Sequence, residues 1–348
     1  MQKQPNLIRL GLTRVKLFET FSLPTIRQQT NQNFLWIIWA EPELDNRVKE
    51  PMIALLRNQS NIILIGKNDH PRRAILSPGL LTEEVWSGDK ALLQRYHEAA
   101  QERRFVVETR LDADDGLPFN FIDTIQGSIR QDRMYHEEPL DFYRFWCVRR
   151  HIEWHATNPF PDSPGRSMNP YGYLVERPRD HIPCITPGLT TVYGKEVQVN
   201  DMPNPHPKPK NTSVCSENGA DVNCWSFLYD RPDGFAGAIR ARTPTSAGMK
   251  DVKVGDEQGN GTTTGQSISA PTSPLQDTDL EERRKWQSVL DEFGIHPDQM
   301  LATKEHFKLH LAEIAAENLQ GQCIHGFTCR SSTRDALAKL KKIGEQSP

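Results

Sequence analysis

Apolar residues recur at helical spacing over residues 17–29, where Leu17, Phe18, Phe21 and Ile26 share one face and Pro24 bends the helix. Asn33 then introduces an unbroken apolar run, Phe34-Leu-Trp-Ile-Ile-Trp39, of the kind found in a parallel strand covered on both faces. Val48 to Leu56 supply a second helix and Asn61-Ile-Ile-Leu-Ile65 a second strand. Ala91 to Arg103 are helical again and lead into a short strand built on Phe105, Val106, Val107 and Leu111. Helix and strand alternating at this spacing predict βα units, hence an α/β fold with a three-layer sandwich around a mostly parallel central sheet.

Beyond residue 130 the pattern loosens. Trp146, Trp154 and Tyr171-Gly-Tyr-Leu-Val175 are strand-like, and Ile182-Pro-Cys-Ile-Thr-Pro-Gly-Leu-Thr190 reads as a strand and turn. The proline-rich run Pro203 to Lys210 is incompatible with a central strand. Gly255 to Gln276 are rich in Gly, Ser and Thr and poor in apolar residues, the composition of a flexible linker. Amphipathic helices follow around Trp286, Val289, Leu290 and Phe293, then Phe307, Leu311, Ile314 and Ala315, then Ala336 to Ile343. The expected organisation is therefore a first half at 1–130, a second half at 131–254, a linker at 255–277 and a C-terminal helical appendage at 278–348. No internal repeat is visible.

Composition narrows the function classes. With 348 residues, 36% hydrophobic and 25% charged, the chain can bury one large core or two modest ones. A formal net charge of −3 leaves no electrostatic footprint for nucleic acid or an anionic membrane. The apolar runs fall well short of the roughly 20 residues a spanning helix needs. No signal peptide is evident, so the chain as written is expected to be soluble. The six cysteines form no C-x-x-C pair, which argues against a zinc ribbon. Cys215/Cys224 and Cys323/Cys329 are spaced to close small loops in an oxidising compartment, with buried free thiols an equal alternative. Three Asn-x-Ser/Thr tripeptides, at Asn58, Asn211 and Asn260, decide nothing by pattern alone.

The densest chemistry lies in Thr109-Arg-Leu-Asp-Ala-Asp-Asp-Gly116, where Asp112, Asp114 and Asp115 crowd a strand's exit. Carboxylates that close repel and raise one another's pKa unless a cation compensates. Hard oxygens at short spacing suit Mg²⁺ or Mn²⁺, and Mg²⁺ usually takes one or two carboxylates with substrate phosphates completing its shell. In open α/β sheets ligands bind beyond the carboxyl ends of the strands. The tetrad is thus a candidate grip for a metal-bound diphosphate, while an ordinary Asp-rich turn explains it about equally well. An EF-hand fails on spacing, since Gly116 and Leu117 stand where that loop wants a ligand and then glycine. A phosphatase with an Asp nucleophile would need a second acidic motif, which is not seen. His151 and His155 would chelate zinc on a helix, but their Trp-rich strand context favours ordinary surface or core histidines.

Two motifs together, Leu23-Pro-Thr-Ile-x-x-Gln-Thr30 and Thr109-Arg-Leu-Asp-x-Asp-Asp115, resemble the rhamnosyltransferase family. Cys184-Ile-Thr-Pro-Gly-Leu-Thr190, Arg240-Ala-Arg-Thr-Pro-Thr-Ser-Ala-Gly-Met249 and Asn318-Leu-Gln-Gly-Gln-Cys323 are similar to its eukaryotic members. The resemblance implies a GT-A-like glycosyltransferase using Mn²⁺ or Mg²⁺. Its partners would be a nucleotide-sugar donor, with rhamnose suggested by the family's name, and a glycan or other hydroxyl acceptor. It implies Asp112 at the ribose or metal, Asp114 as principal metal ligand and Asp115 orienting the loop or the donor sugar. Arg110 would meet phosphate or brace an acid, and Arg240 and Arg242 would fold over the diphosphate. Glu153 and Asp201 are candidate bases for the acceptor hydroxyl.

The chain departs from the family at two points. Family members usually open with a further strand ahead of Gln2 to Leu7, and Glu41 stands at the base- or ribose-contacting position where they carry Asp. An upstream anchor would place the protein in the Golgi lumen. The alternative in another class is a catalytically inactive scaffold that binds glycan or a partner.

Overall fold

A computed structural model describes residues 7–67, 84–131, 143–148, 150–156, 170–177, 187–194, 225–229, 236–243 and 286–324. The chain begins with a long helix in three parts: α1 (Ile8–Leu17), a π-helical turn (Phe18–Ser22) and α2 (Leu23–Arg27). The wide turn falls just before Pro24, whose missing N–H and ring would otherwise break the ladder. Strand β1 (Trp36–Ala40), helix α3 (Asn46–Leu56) and strand β2 (Ile62–Gly66) follow as a βαβ unit with β1 parallel to β2. Strand β3 (Val85–Ser87) adds antiparallel to β2. Val15, Phe18 and Leu23 of the long helix join Val48, Met52 and Leu56 of α3 on one face of this sheet, over Ala40, Ile62 and Leu64. Helix α4 (Lys90–Glu102) covers the other face through Leu93 and Ala100.

Strand β4 (Phe105–Thr109) leads into the acidic turn, the two-residue β5 (Asp115–Gly116) and helix α5 (Phe121–Gln131). The later strands are β6 (Tyr143–Val148), β7 (His151–His155), β8 (Tyr173–Arg177), β9 (Thr190–Gly194), β10 (Trp225–Leu228) and β11 (Ile239–Arg242). They build two four-stranded sheets, in order β10-β6-β9-β4 and β5-β11-β7-β8.

The expectation of one mostly parallel sheet through Phe34–Trp39, Asn61–Ile65 and Phe105–Leu111 needs correction. The fold is mixed α/β, but β4 pairs antiparallel with β9, in a different sheet from β1 and β2. Antiparallel pairings also join β6 to β9, β7 to β8, β11 to β5 and β2 to β3. Parallel ones join β1 to β2, β10 to β6 and β11 to β7. An apolar run reports burial on two faces, not strand direction, so the pattern did not distinguish these outcomes.

The C-terminal region closes against the start of the chain. A helix, α6, covers residues 286–293, and α7 spans Pro297–Ile324. Trp286, Val289, Phe293, Met300, Phe307 and Ile314 share one core with Leu10, Leu17, Phe21, Trp154 and Ile239. Glu317 accepts from the free amides of Arg9 and Leu10 at 3.3 and 2.7 Å, so α7 supplies the N-terminal cap of α1. Thr13 meets His306 at 2.9 Å and Thr20 meets Thr303 at 2.7 Å, both across the same seam. No helix among the described residues is long and apolar enough to cross a membrane.

Cys147 of β6 is buried and disulfide-bonded. Asp201, Cys184, Cys215, Cys224, Cys329, the proline-rich run, the linker and the helix at Ala336 to Ile343 lie outside the described residues.

Candidate functional site

The acidic turn is held from two sides. On one, the Ser22 hydroxyl, set inside the π turn, donates to the carbonyls of Asp115 (2.7 Å) and Asp112 (3.2 Å). On the other, β5 pairs with β11, and the Ala241 amide donates to the Asp114 carbonyl at 2.9 Å. Gly116 fits because it is small: a Cβ there would lie 2.8 Å from Thr25 Cγ2 and 2.9 Å from Ile239 Cγ2.

The glutamine and threonine of the Leu-Pro-Thr-Ile-x-x-Gln-Thr motif work on the same segment. Buried Gln29 donates to the carbonyls of Thr25 and Pro118 and accepts from the Ile122 amide. The Thr30 amide donates to the Phe119 carbonyl, and its hydroxyl donates to Asp123. The two motifs are therefore one structural unit, with the first clamping the exit of the second into α5.

Beyond the turn, the sheet β5-β11-β7-β8 has two unlike faces. Ile152, Trp154, Ile239 and Ala241 point into the apolar core. Strand alternation sends Glu153, His151 and His155 of β7 and Arg240 and Arg242 of β11 to the opposite face. Arg242 Nε donates to Glu153 Oε1 at 2.7 Å, and Arg240 Nε lies 3.6 Å from Asp115 Oδ1. His151 and His155 place their Nε2 atoms 3.7 and 3.4 Å from the Glu153 oxygens. The structure thus assembles Asp115, Arg240, Arg242 and Glu153, which lie far apart in sequence.

Much of this face is buried without full pairing. Asp115 Oδ2, Arg240 Nε, both ring nitrogens of His151 and His155 Nε2 are enclosed with no hydrogen-bond partner among the described residues. Burial is the main force that lifts the Asp115 carboxyl well above the ordinary carboxylate range, and Asp114 adds repulsion. Arg240 and Arg242 offset part of this, while Asp112 adds to it. Burial likewise lowers His151, against the pull of Glu153, and so favours its neutral form.

Sequence reading missed Arg14. Burial holds it below the usual arginine range, and the charge of Asp114 opposes that shift. The available signal was an arginine embedded among Leu10, Thr13, Val15 and Leu17, all buried. Arg110 is shifted the same way by burial, with Glu108 and Asp112 opposing, which fits a brace for the acids. Glu41 is buried at the exit of β1, one residue past Ala40.

Among the described residues no group of three or more His, Cys, Asp or Glu is arranged to hold a metal ion. Asp112 and Asp114 are half-buried in the acidic turn, and their hard carboxylate oxygens are the ligand type that Mg²⁺ or Mn²⁺ takes in ones and twos.

No curated protein and no solved structure matches the chain. Over residues 9–139, less than half of its length but including the acidic turn and the clamp that holds it, the chain matches the family model described as "Putative rhamnosyl transferase".

Proposed function

We propose that the protein is a glycosyltransferase that transfers a sugar, rhamnose by family resemblance, from a nucleoside-diphosphate donor to a hydroxyl acceptor. The observation that carries this reading is the polar sheet face at the acidic turn, where arginine, histidine and aspartate atoms are buried without a hydrogen-bond partner among the described residues. Leaving such groups unpaired costs roughly 1–3 kcal/mol each, a cost expected at a binding site and recovered when ligand arrives. A GT-A-like arrangement in a wider sense, with donor bound at the acidic strand exit, is the architecture this reading adopts.

In the proposed site Arg240 and Arg242 face the donor diphosphate, and Arg14 balances the charge of Asp114. Guanidiniums suit this task because their planar donors match phosphate oxygens. Glu153, bonded to Arg242, acts as a positioning residue that aims the guanidinium rather than as the base for the acceptor hydroxyl. Asp112 and Asp114 would hold Mn²⁺ or Mg²⁺, which supplies an electrophile for the negative charge that grows on the departing diphosphate. Asp115 stays beneath them, shaping the turn through its backbone. Glu41, with a longer arm than aspartate, is proposed to accept hydrogen bonds from the base or ribose.

Calorimetric titration with UDP and dTDP, with Mn²⁺ and then with EDTA, tests the reading. Wild type is expected to bind at least one of them only with metal. Asp114→Ala should lower that affinity by about a hundredfold or more while the protein stays folded, the scale of losing a charged ligand. Binding unchanged in the variant would remove the metal-diphosphate role. Failure of wild type to bind either nucleotide would favour an inactive scaffold.

A further inference from the structure

Cys147 bears on where the chain folds. It lies inside β6, fully enclosed between Trp146 and Val148, and its sulfur is part of a disulfide. A bond to so deeply buried a sulfur is made while the chain folds, because thiol–disulfide exchange needs access that the finished sheet denies. In that step two thiols give up two protons and two electrons, which an oxidised carrier disulfide accepts. Such bonds persist in oxidising compartments and are rare where glutathione and thioredoxin keep thiols reduced.

Of the three Asn-x-Ser/Thr tripeptides, Asn58-Gln-Ser60 lies among the described residues. It forms the turn from α3 into β2, and both Asn58 and Ser60 are exposed. The backbone closes this turn by itself, with the Arg57 amide donating to the Ala54 carbonyl and the Gln59 amide to the Leu56 carbonyl. Asn58 has a φ of 69° just past the helix end, a conformation that asparagine tolerates better than most residues. That conformation accounts for an asparagine at position 58. It asks nothing of residue 60.

We propose that the protein folds in an oxidising lumen and carries an N-linked glycan on Asn58. The Asn58 amide nitrogen bonds to the anomeric carbon of an oligosaccharide held on a lipid diphosphate. The bond from that carbon to the phosphate oxygen breaks, the lipid diphosphate leaves with the electron pair, and the amide gives one proton to solvent. The Ser60 hydroxyl completes the pattern that the transferring enzyme reads.

The turn has room for so bulky and hydrophilic a group. β1 and β2 are parallel, with Trp36 opposite Ile62 and Ala40 opposite Gly66. The turn therefore stands at the amino end of this strand pair, while Glu41 follows its carboxyl end, about 15 Å along the strands. A glycan on Asn58 projects from the sheet edge away from Glu41. This modification does not depend on the protein's own sugar transfer.

The test uses the protein from the cells that make it. Trypsin cuts after Arg57 and Lys67 and releases residues 58–67 as one peptide. Mass spectrometry before and after peptide-N-glycosidase treatment in heavy-oxygen water reads the site, and a digest without reductant reads Cys147. Most of the peptide is expected to appear only after the glycosidase, with heavy oxygen in an aspartate at position 58, and Cys147 in a cross-linked peptide. Ser60→Ala, expressed in the same cells, should yield the peptide unmodified without the glycosidase, and its thermal melt should match wild type because Ser60 is exposed. Ser60→Thr should keep the glycan. A peptide unmodified from the start, in protein whose Cys147 is cross-linked, would overturn the site. Aspartate lacking heavy oxygen is spontaneous deamidation and overturns it as well. Cys147 found as a free thiol would remove the oxidising compartment, and the proposal with it.

Discussion

The two faces of the sheet β5-β11-β7-β8 are made by alternate residues of the same strands, yet they follow opposite rules. On one face Trp154, Ile152, Ile239 and Ala241 are packed against Phe21, Met300 and Phe307 in a closed apolar core. On the other, Glu153, Arg242, Arg240, Asp115 and His151 are enclosed with several polar atoms unsatisfied. Protein interiors seldom tolerate such groups unpaired. The first face stabilises the sheet, and the second spends part of that stability to hold charged groups in fixed positions. Substitutions on the two faces should therefore have opposite signs.

The largest effect is expected from Trp154→Ala. This side chain is fully buried, its ring centroid lies 5.0 Å from that of Phe21, and its Nε1 donates to the Tyr171 carbonyl at 2.8 Å. Truncation leaves a cavity and removes the hydrogen bond to the Tyr171 carbonyl, costing about 3–5 kcal/mol. Urea unfolding monitored by circular dichroism measures it. A loss below about 1 kcal/mol would mean that this face is not the stabilising one.

Gln29→Leu probes the clamp between the two sequence motifs and ranks second. The apolar side chain would leave the Thr25 and Pro118 carbonyls and the Ile122 amide without their side-chain partner. A loss of about 2–3 kcal/mol is expected for a buried hub of this kind. Because Pro118 follows the acidic turn by three residues, the same variant should also weaken metal-dependent nucleotide binding. A stability loss with binding intact would separate the clamp from the site.

How far the sequence revealed all this depended on the range of the signal. The strands at Trp36–Ala40, Ile62–Gly66 and Phe105–Thr109 follow from local apolar runs. The crowding of Asp112, Asp114 and Asp115 was equally local. Strand partners are not local: nothing near Phe105 specifies Thr190–Gly194 as its neighbour, so the parallel sheet was over-read. Glu153 drew notice as a base, but only the parallel pairing of β11 with β7 shows Arg242 bonded to it. Arg14 escaped notice because it precedes the helix expected over residues 17–29, whereas α1 begins at Ile8, and its electrostatic relation to Asp114 exists only after folding. The resemblance of the motifs to a family does not say that Gln29 and Thr30 are structural.

The smallest effect, and the one of opposite sign, is expected from Asp115→Asn. Asp115 is fully buried and its carboxyl is raised, first by burial and then by Asp114, with Arg240 compensating from 3.6 Å. Between its unfolded pKa and the raised folded value, the native state binds the extra proton. Stability must therefore fall as pH rises through that window, since ionising this group in place is unfavourable. Asparagine keeps the shape and removes the titration. The variant should be more stable than wild type by about 1–2 kcal/mol at neutral pH in metal-free buffer, within the range for relieving a buried, poorly paired polar group. The difference should shrink as pH is lowered toward the unfolded aspartate value of about 3.9, below which Asp115 is mostly protonated in both states. Adding Mn²⁺ should narrow it at neutral pH too, because a cation at Asp112 and Asp114 cancels the repulsion that asparagine relieves. Thermal melts of both proteins across pH, with and without Mn²⁺, measure all three. If the variant is less stable at neutral pH, the Asp115–Arg240 pair outweighs the repulsion, and the polar face is a stabilising network rather than a site held open for a ligand.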